Sequence, residues 1–195
     1  MKRTLRKFAC AKAEHVQLVR MSVRKMNETV VLAAIHAAYC EPIFLLKKLC
    51  EIRKNKPNLK PPFRVLVYCT MRRPGENFLF LDKYGSLLRP GWVFPQNYQT
   101  AVRMGMLPLN GRILGEFVCD RIAEFKVFDT GTIQNWMYAD LDKSCVSYDQ
   151  IASYIGTGKT GFSWHISDPV LYDQPRLLQD YGIVRAPQSW QYIRA

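Results

Sequence analysis

The sequence predicts an α+β fold, a small mixed β-barrel with two or three short helices. Short runs rich in β-branched and aromatic residues recur between turn signals along the chain. Only two segments carry a convincing helical period, and strand and helix do not alternate as a doubly wound sheet requires. With 195 residues and 48% hydrophobic content, the chain suffices for one well-packed core.

Residues 1–27 are rich in Lys and Arg, lack an apolar period and contain Met21 and Met26. They read as a basic arm, disordered or loosely packed, or as an upstream start-site extension; residues 28–195 form the domain. Thr29–Ile35 is a buried strand. Tyr39, Ile43 and Leu46 then recur at helical spacing, with Pro42 expected in the first helical turn. Cys50–Arg53 is the next strand and Phe63–Thr70 the one after.

Met71–Leu109, broken by Pro and Gly between Pro74 and Pro95, reads as a hairpin or long loop. Its aromatics Phe78, Phe80, Trp92, Phe94 and Tyr98 either cover the barrel or form a stacking surface. Gly111–Phe128 supplies a long strand or strand pair. Ser147 is the expected N-cap of a helix that Gly156 ends after Ile155. Strands follow at Phe162–Ile166, Val170–Leu178 and around Trp190–Ile193.

Six cysteines occur without a CxxC pair and with only three histidines. They read as buried thiols in a reducing compartment, and neither a metal nor a cofactor is expected. No apolar run reaches the roughly 18 residues of a membrane span. A soluble, cytoplasmic protein that does not contact membrane is therefore expected.

The net charge of +12 is uneven: residues 1–60 hold 14 Lys/Arg against 4 Asp/Glu. That bias favours a polyanionic partner, since clustered cations gain affinity by displacing phosphate counterions. A solubilising basic surface is the plainer alternative.

Within Leu46–Lys54, an extended strand points Glu51 and Arg53 to one face, with Lys48 at the helix–strand junction. The carboxylate is placed to orient Lys48 and Arg53 toward phosphate, or to contact a base edge. A structural salt bridge at the barrel mouth is the competing reading. Lys54 adds charge beside them, and His36 at the start of the helix is a further anion contact.

In this region the sequence resembles the ASCH domain family, whose pattern is G-x-K-x-x-E-x-R after a strand and helix. Lys48, Glu51 and Arg53 match, while Leu46 replaces the glycine. Further likeness runs in order through Ile35-His36, Tyr39-Cys40-Glu41, Val65–Thr70, Gly111–Asp120, Gly161–Asp168 and Ala186–Trp190, similar to small ASCH proteins of bacteriophages.

The resemblance implies a PUA-like barrel with a charged cleft that binds RNA or a nucleotide. One bacterial branch is an amidohydrolase of N4-acetylcytidine with a threonine nucleophile and a lysine in this motif. Here Glu51 stands at the threonine position and Leu49 is no hydroxyl residue either, so the covalent mechanism is not matched. Chemistry as a hydrolase of a modified nucleoside, or as a ribonuclease, would need Glu51 as base with Lys48 stabilising an oxyanion. A third class is a factor that engages a host protein.

Other candidates carry two readings each. Trp164 either stacks a base or belongs to the core; His165 is an acid–base group or a hydrogen-bonded structural residue. Glu116 alternates with apolar neighbours and is expected to point toward Lys48 or Arg53. Tyr68 and Tyr138 are weaker stacking candidates. Gly156–Gly161 contains Gly-Lys-Thr but lacks the spacing and following helix of a phosphate loop.

Overall fold

The computed structural model describes residues 29–71, 78–88, 98–130 and 132–194. The basic arm with His15, and the loop residues Trp92 and Phe94, lie outside them. The unit Val30–Ile193 is described below.

Among the described residues there are ten strands and three α-helices. In chain order they are β1 (Thr29–Ile35), α1 (Ala37–Phe44), β2 (Cys50–Arg53), β3 (Phe63–Cys69), β4 (Phe80–Leu81), β5 (Leu87–Leu88), α2 (Tyr98–Arg103), β6 (Leu107–Pro108), β7 (Ile113–Val127), β8 (Ile133–Gln134), α3 (Tyr148–Ile155), β9 (Thr160–Arg176) and β10 (Trp190–Arg194). The main sheet runs β10-β1-β3-β7-β9-β2, with β8 on β7; β4, β5 and β6 form a second, three-stranded sheet.

The apolar run of β1 follows from burial on both faces. Val31, Ala33 and Ile35 enter one core with Phe63, Val65, Phe117 and Trp164, while Val30, Leu32 and Ala34 enter another with Leu66 and Tyr68. β1 and β3 pair in parallel, so β2, which separates them in sequence, pairs with β9 at the far end of the sheet instead.

The expected hairpin in the irregular region is β4–β5, and it is followed by a short helix, α2, that the sequence did not signal. Phe78, Phe80 and Tyr98 cluster there as packing, with Phe78 and Tyr98 centroids 4.5 Å apart. Gly111–Phe128 proves to be one 15-residue strand, and the two expected strands Phe162–Ile166 and Val170–Leu178 are one continuous β9.

Ser147 caps α3 as expected, its hydroxyl accepting from the Gln150 N–H while the Gln150 side chain accepts from the Ser147 N–H. Pro42 corrects expectation: it sits in the second turn of α1, not the first. Its ring leaves no N–H for the turn behind, and the helix ends two residues later. Among the described cysteines, Cys145 is exposed, contrary to the buried reading, while Cys40, Cys50, Cys69 and Cys119 are buried.

Gly115 is required where strands cross closely. A Cβ there would lie 2.1 Å from the Val170 carbonyl and 2.8 Å from the Phe44 ring. No helix among the described residues is long and apolar enough to cross a membrane.

Candidate functional site

The two ends of the main sheet meet through one side chain. Arg53, on edge strand β2, donates from Nη2 to the Ala34 carbonyl of β1 at 2.9 Å. From Nη1 it donates to the Ser189 carbonyl and hydroxyl, just before β10, at 3.1 and 3.2 Å. The sheet thus curls on itself, and a guanidinium rather than a backbone ladder spans the seam.

Alternation along β2 sends Cys50 and Ile52 into the core beneath α3 and turns Glu51 and Arg53 to the other face. Glu51 is held between two cations, Oε1 at 3.0 Å from Arg53 and Oε2 at 3.2 Å from Lys48. Their side chains are 11%, 5% and 1% exposed respectively, so this is a buried cluster and not a surface bridge. Lys48 also donates to the Ser144 carbonyl at 2.5 Å and lies 5.2 Å from the Tyr39 ring centroid.

The loop before Lys48 must turn sharply, and Leu46 does so at φ 57°, a left-handed conformation that favours glycine. Leu46 thus stands in a conformation that glycine adopts more readily, with its side chain exposed.

Above this cluster lies a pocket of about 370 Å³. Its floor includes Lys48, Glu51 and Arg53, and Tyr39, Gln150, Tyr154 and Gln188 are among its walls. Burial pushes the phenols of Tyr39 and Tyr154 above their ordinary value, so both present a neutral hydroxyl at neutral pH. His36 and Thr70 line the pocket as well. Lys54 sits at the rim, its ammonium 4.9 Å from the Tyr154 ring centroid.

The structure therefore brings together Lys48, Glu51, Arg53, His36 and Lys54 and leaves five other candidates elsewhere. Trp164 is fully buried, edge-on to Phe63 and Trp190 at 6.2 and 5.8 Å, and offers no face to a ligand. Tyr68 is buried in the second core, on the side of β3 away from Phe63 and Val65. His165 points from β9 to the side opposite Trp164, where Nδ1 lies 2.6 Å from Asp120 Oδ1.

Glu116 reaches neither Lys48 nor Arg53. It accepts from Arg64 at 2.6 Å and from the Tyr172 hydroxyl at 2.5 Å, because its place on β7 turns it to another face of the sheet. Tyr138 is exposed, with the Arg121 guanidinium carbon 5.9 Å from its ring centroid.

Two buried donors flank the floor. Arg53 Nε and Trp164 Nε1 have no hydrogen-bond acceptor among the described residues, and Arg53 Cζ is 5.9 Å from the Trp164 ring centroid.

Gln150 and Tyr154 were missed from sequence. They lie four residues apart and share one side of α3, while Ile151 and Ile155 supply its core side. An amphipathic helix with an aromatic polar face was the available signal.

No protein-family profile and no curated protein matches the chain. Solved structures do. A serine-to-alanine mutant of the ASCH protein from Zymomonas mobilis matches with TM-score 0.56 and 14% identity, covering 87% of this chain and 92% of that one. The tyrosine-to-phenylalanine mutant gives 0.53 at 15% identity, over 84% of this chain and 89% of that one. ASCH from the same organism gives 0.52 at 15% identity, over 84% and 87%. The chain has an ASCH-type fold.

Proposed function

We propose that this ASCH-type module binds RNA or a nucleotide by taking one nucleotide unit into the pocket above Lys48, Glu51 and Arg53. The observation that carries the reading is a buried cluster with two cations and one carboxylate at the floor of a pocket walled by tyrosines and amides. A cavity of this size falls within the range of small-ligand sites. Tyr39 and Tyr154 offer ring faces for stacking, Gln188 offers a paired donor and acceptor for a base edge, and Gln150, whose Oε1 is engaged by Ser147, offers its NH₂ as a donor.

The cluster's net charge of +1 attracts an anion without supplying a free clamp. Most N–H groups of Lys48 and Arg53 are already directed at Glu51 and at protein carbonyls. Direct phosphate contact falls to Lys54 at the rim. Both Glu51 oxygens are engaged by cations, which suits an anchor better than a general base.

The test is calorimetric titration with nucleoside 5′-monophosphates for the parent, Tyr154→Ala and Lys54→Glu. Loss of stacking worth about 1–3 kcal/mol weakens binding by about fivefold to about 150-fold in Tyr154→Ala. Unchanged affinity in both variants removes the pocket from the account. Turnover of a modified nucleoside by the parent, abolished in a folded Glu51→Gln variant, would replace binding with hydrolysis.

A further inference from the structure

The connection from β2 to β3, residues 54–62, carries Lys54, Lys56 and Lys60 and no acidic residue. Lys54 lies over Tyr154 at the pocket rim. Two residues on, Lys56 lies 5.2 Å from the Phe162 ring centroid and 3.7 Å from Glu124, with both ionic side chains more than half exposed. A second cavity of about 290 Å³ opens there, between the Lys56–Pro61 segment and Ile122, Glu124 and Phe162.

Strand register places this cavity beside the first. Arg53 lies opposite Phe162, and Phe162 opposite Glu124. Glu51 lies opposite Trp164, and Trp164 opposite Ile122. Directly opposed residues project to the same side of a sheet, so Glu51, Arg53, Phe162, Ile122 and Glu124 share one face. From Arg53 to Lys56 the chain spans at most roughly 10 Å. The connection is fixed over this face by the Asn58 N–H, which donates to the Tyr192 hydroxyl at 2.6 Å.

We propose that the second cavity is a base subsite, so that the protein reads two consecutive nucleotides of a single strand rather than one isolated nucleotide. The inference rests on the nucleotide reading of the first pocket. Phe162 supplies a ring and Pro57, Leu59 and Pro61 an apolar wall for the second base. Lys54, Lys56 and Lys60 supply charge along the phosphates that join the two units. The exposed Lys56–Glu124 pair exchanges readily for a phosphate on the lysine, which frees the Glu124 carboxylate to accept from an exocyclic amine. Cytosine and adenine carry that amine, and uracil does not.

Calorimetric titration of the full chain with CMP, AMP and UMP, and with single-stranded tetranucleotides of C, A and U as RNA and of C and A as DNA, tests this. The parent binds C or A tetranucleotides at least tenfold more tightly than the matching mononucleotide, and U tetranucleotides less tightly than either. Phe162→Leu, which keeps an apolar side chain, and the exposed substitution Lys56→Ala each lower tetranucleotide affinity at least threefold and mononucleotide affinity less than twofold. The tetranucleotides as DNA show whether the 2′-hydroxyl is read.

A tetranucleotide that binds no more tightly than its mononucleotide overturns the second subsite and leaves the first pocket standing. So does a pair of variants that weakens both ligand classes equally. Absence of binding by every probe overturns the first pocket together with the second.

Discussion

Replacing Glu51 by Gln asks how much the buried cluster depends on its one negative charge. The amide oxygen can still accept from one cation, but its NH₂ then faces the other. Lys48 and Arg53, almost fully buried, are left as two cations with no counter-charge in the cluster. Breaking a buried ion pair on one side costs about 3–5 kcal/mol. Ser144, Ala34 and Ser189 still accept from the stranded cations, which places this variant near the lower end, at about 3 kcal/mol. With a urea dependence of about 2 kcal/mol per M, the unfolding midpoint falls by about 1.5 M. Urea titration followed by tryptophan fluorescence reads this directly. Adding Lys48→Met restores the charge of the cluster to its parental value, so the double variant loses less than the sum of the single losses. A Glu51→Gln midpoint within about 0.5 M of the parent would refute the cluster as a stabilising unit.

Leu46→Gly relieves left-handed strain of about 1–2 kcal/mol at an exposed position, offset by about 0.5–1 kcal/mol of added chain entropy, and raises stability by up to about 1.5 kcal/mol in the same titration. Gly115→Ala drives a methyl against the Val170 carbonyl and the Phe44 ring and costs about 2–3 kcal/mol, with an unfolding midpoint near the parent's contradicting the close crossing. Lys143, and with it Arg121, holds the Asp140 carboxyl below its ordinary value of 3.8. The stability this provides is present above that value and is lost as pH falls through the lower, folded one. Asp140→Asn therefore flattens the acid limb of a stability–pH curve, and an unchanged limb would exclude the contribution.

The strands were legible because burial on both faces writes long apolar runs into β1 and β3, and the motif around Lys48 was legible because β2 alternates about a single turn. Leu46, which stands at the glycine position of the motif the sequence resembles, has a left-handed backbone that nothing in its own residue type signals. Side-chain placement was less legible wherever it depends on the sheet's closure. Trp164 sits on the correct face for the pocket, but Phe63 and Trp190 cover it, and Trp190 arrives from the far end of the chain. Glu116 and Tyr68 were assigned to the cleft without knowing which side of the curled sheet each faces. The pocket walls came from α3 and from Gln188, segments about 100 residues or more away from Lys48. Local periodicity shows which side of a helix is polar but not what that side meets.

Backbone amide NMR reads residue by residue whether the pocket above Lys48, Glu51 and Arg53 receives a nucleotide. On titration with CMP or AMP, a nucleotide in the pocket gives saturable shifts at His36, Tyr39, Thr70, Gln150, Tyr154 and Gln188 and leaves His165 and Glu116 unmoved. Shifts concentrated in residues 1–28, or none at saturating nucleotide, would contradict it.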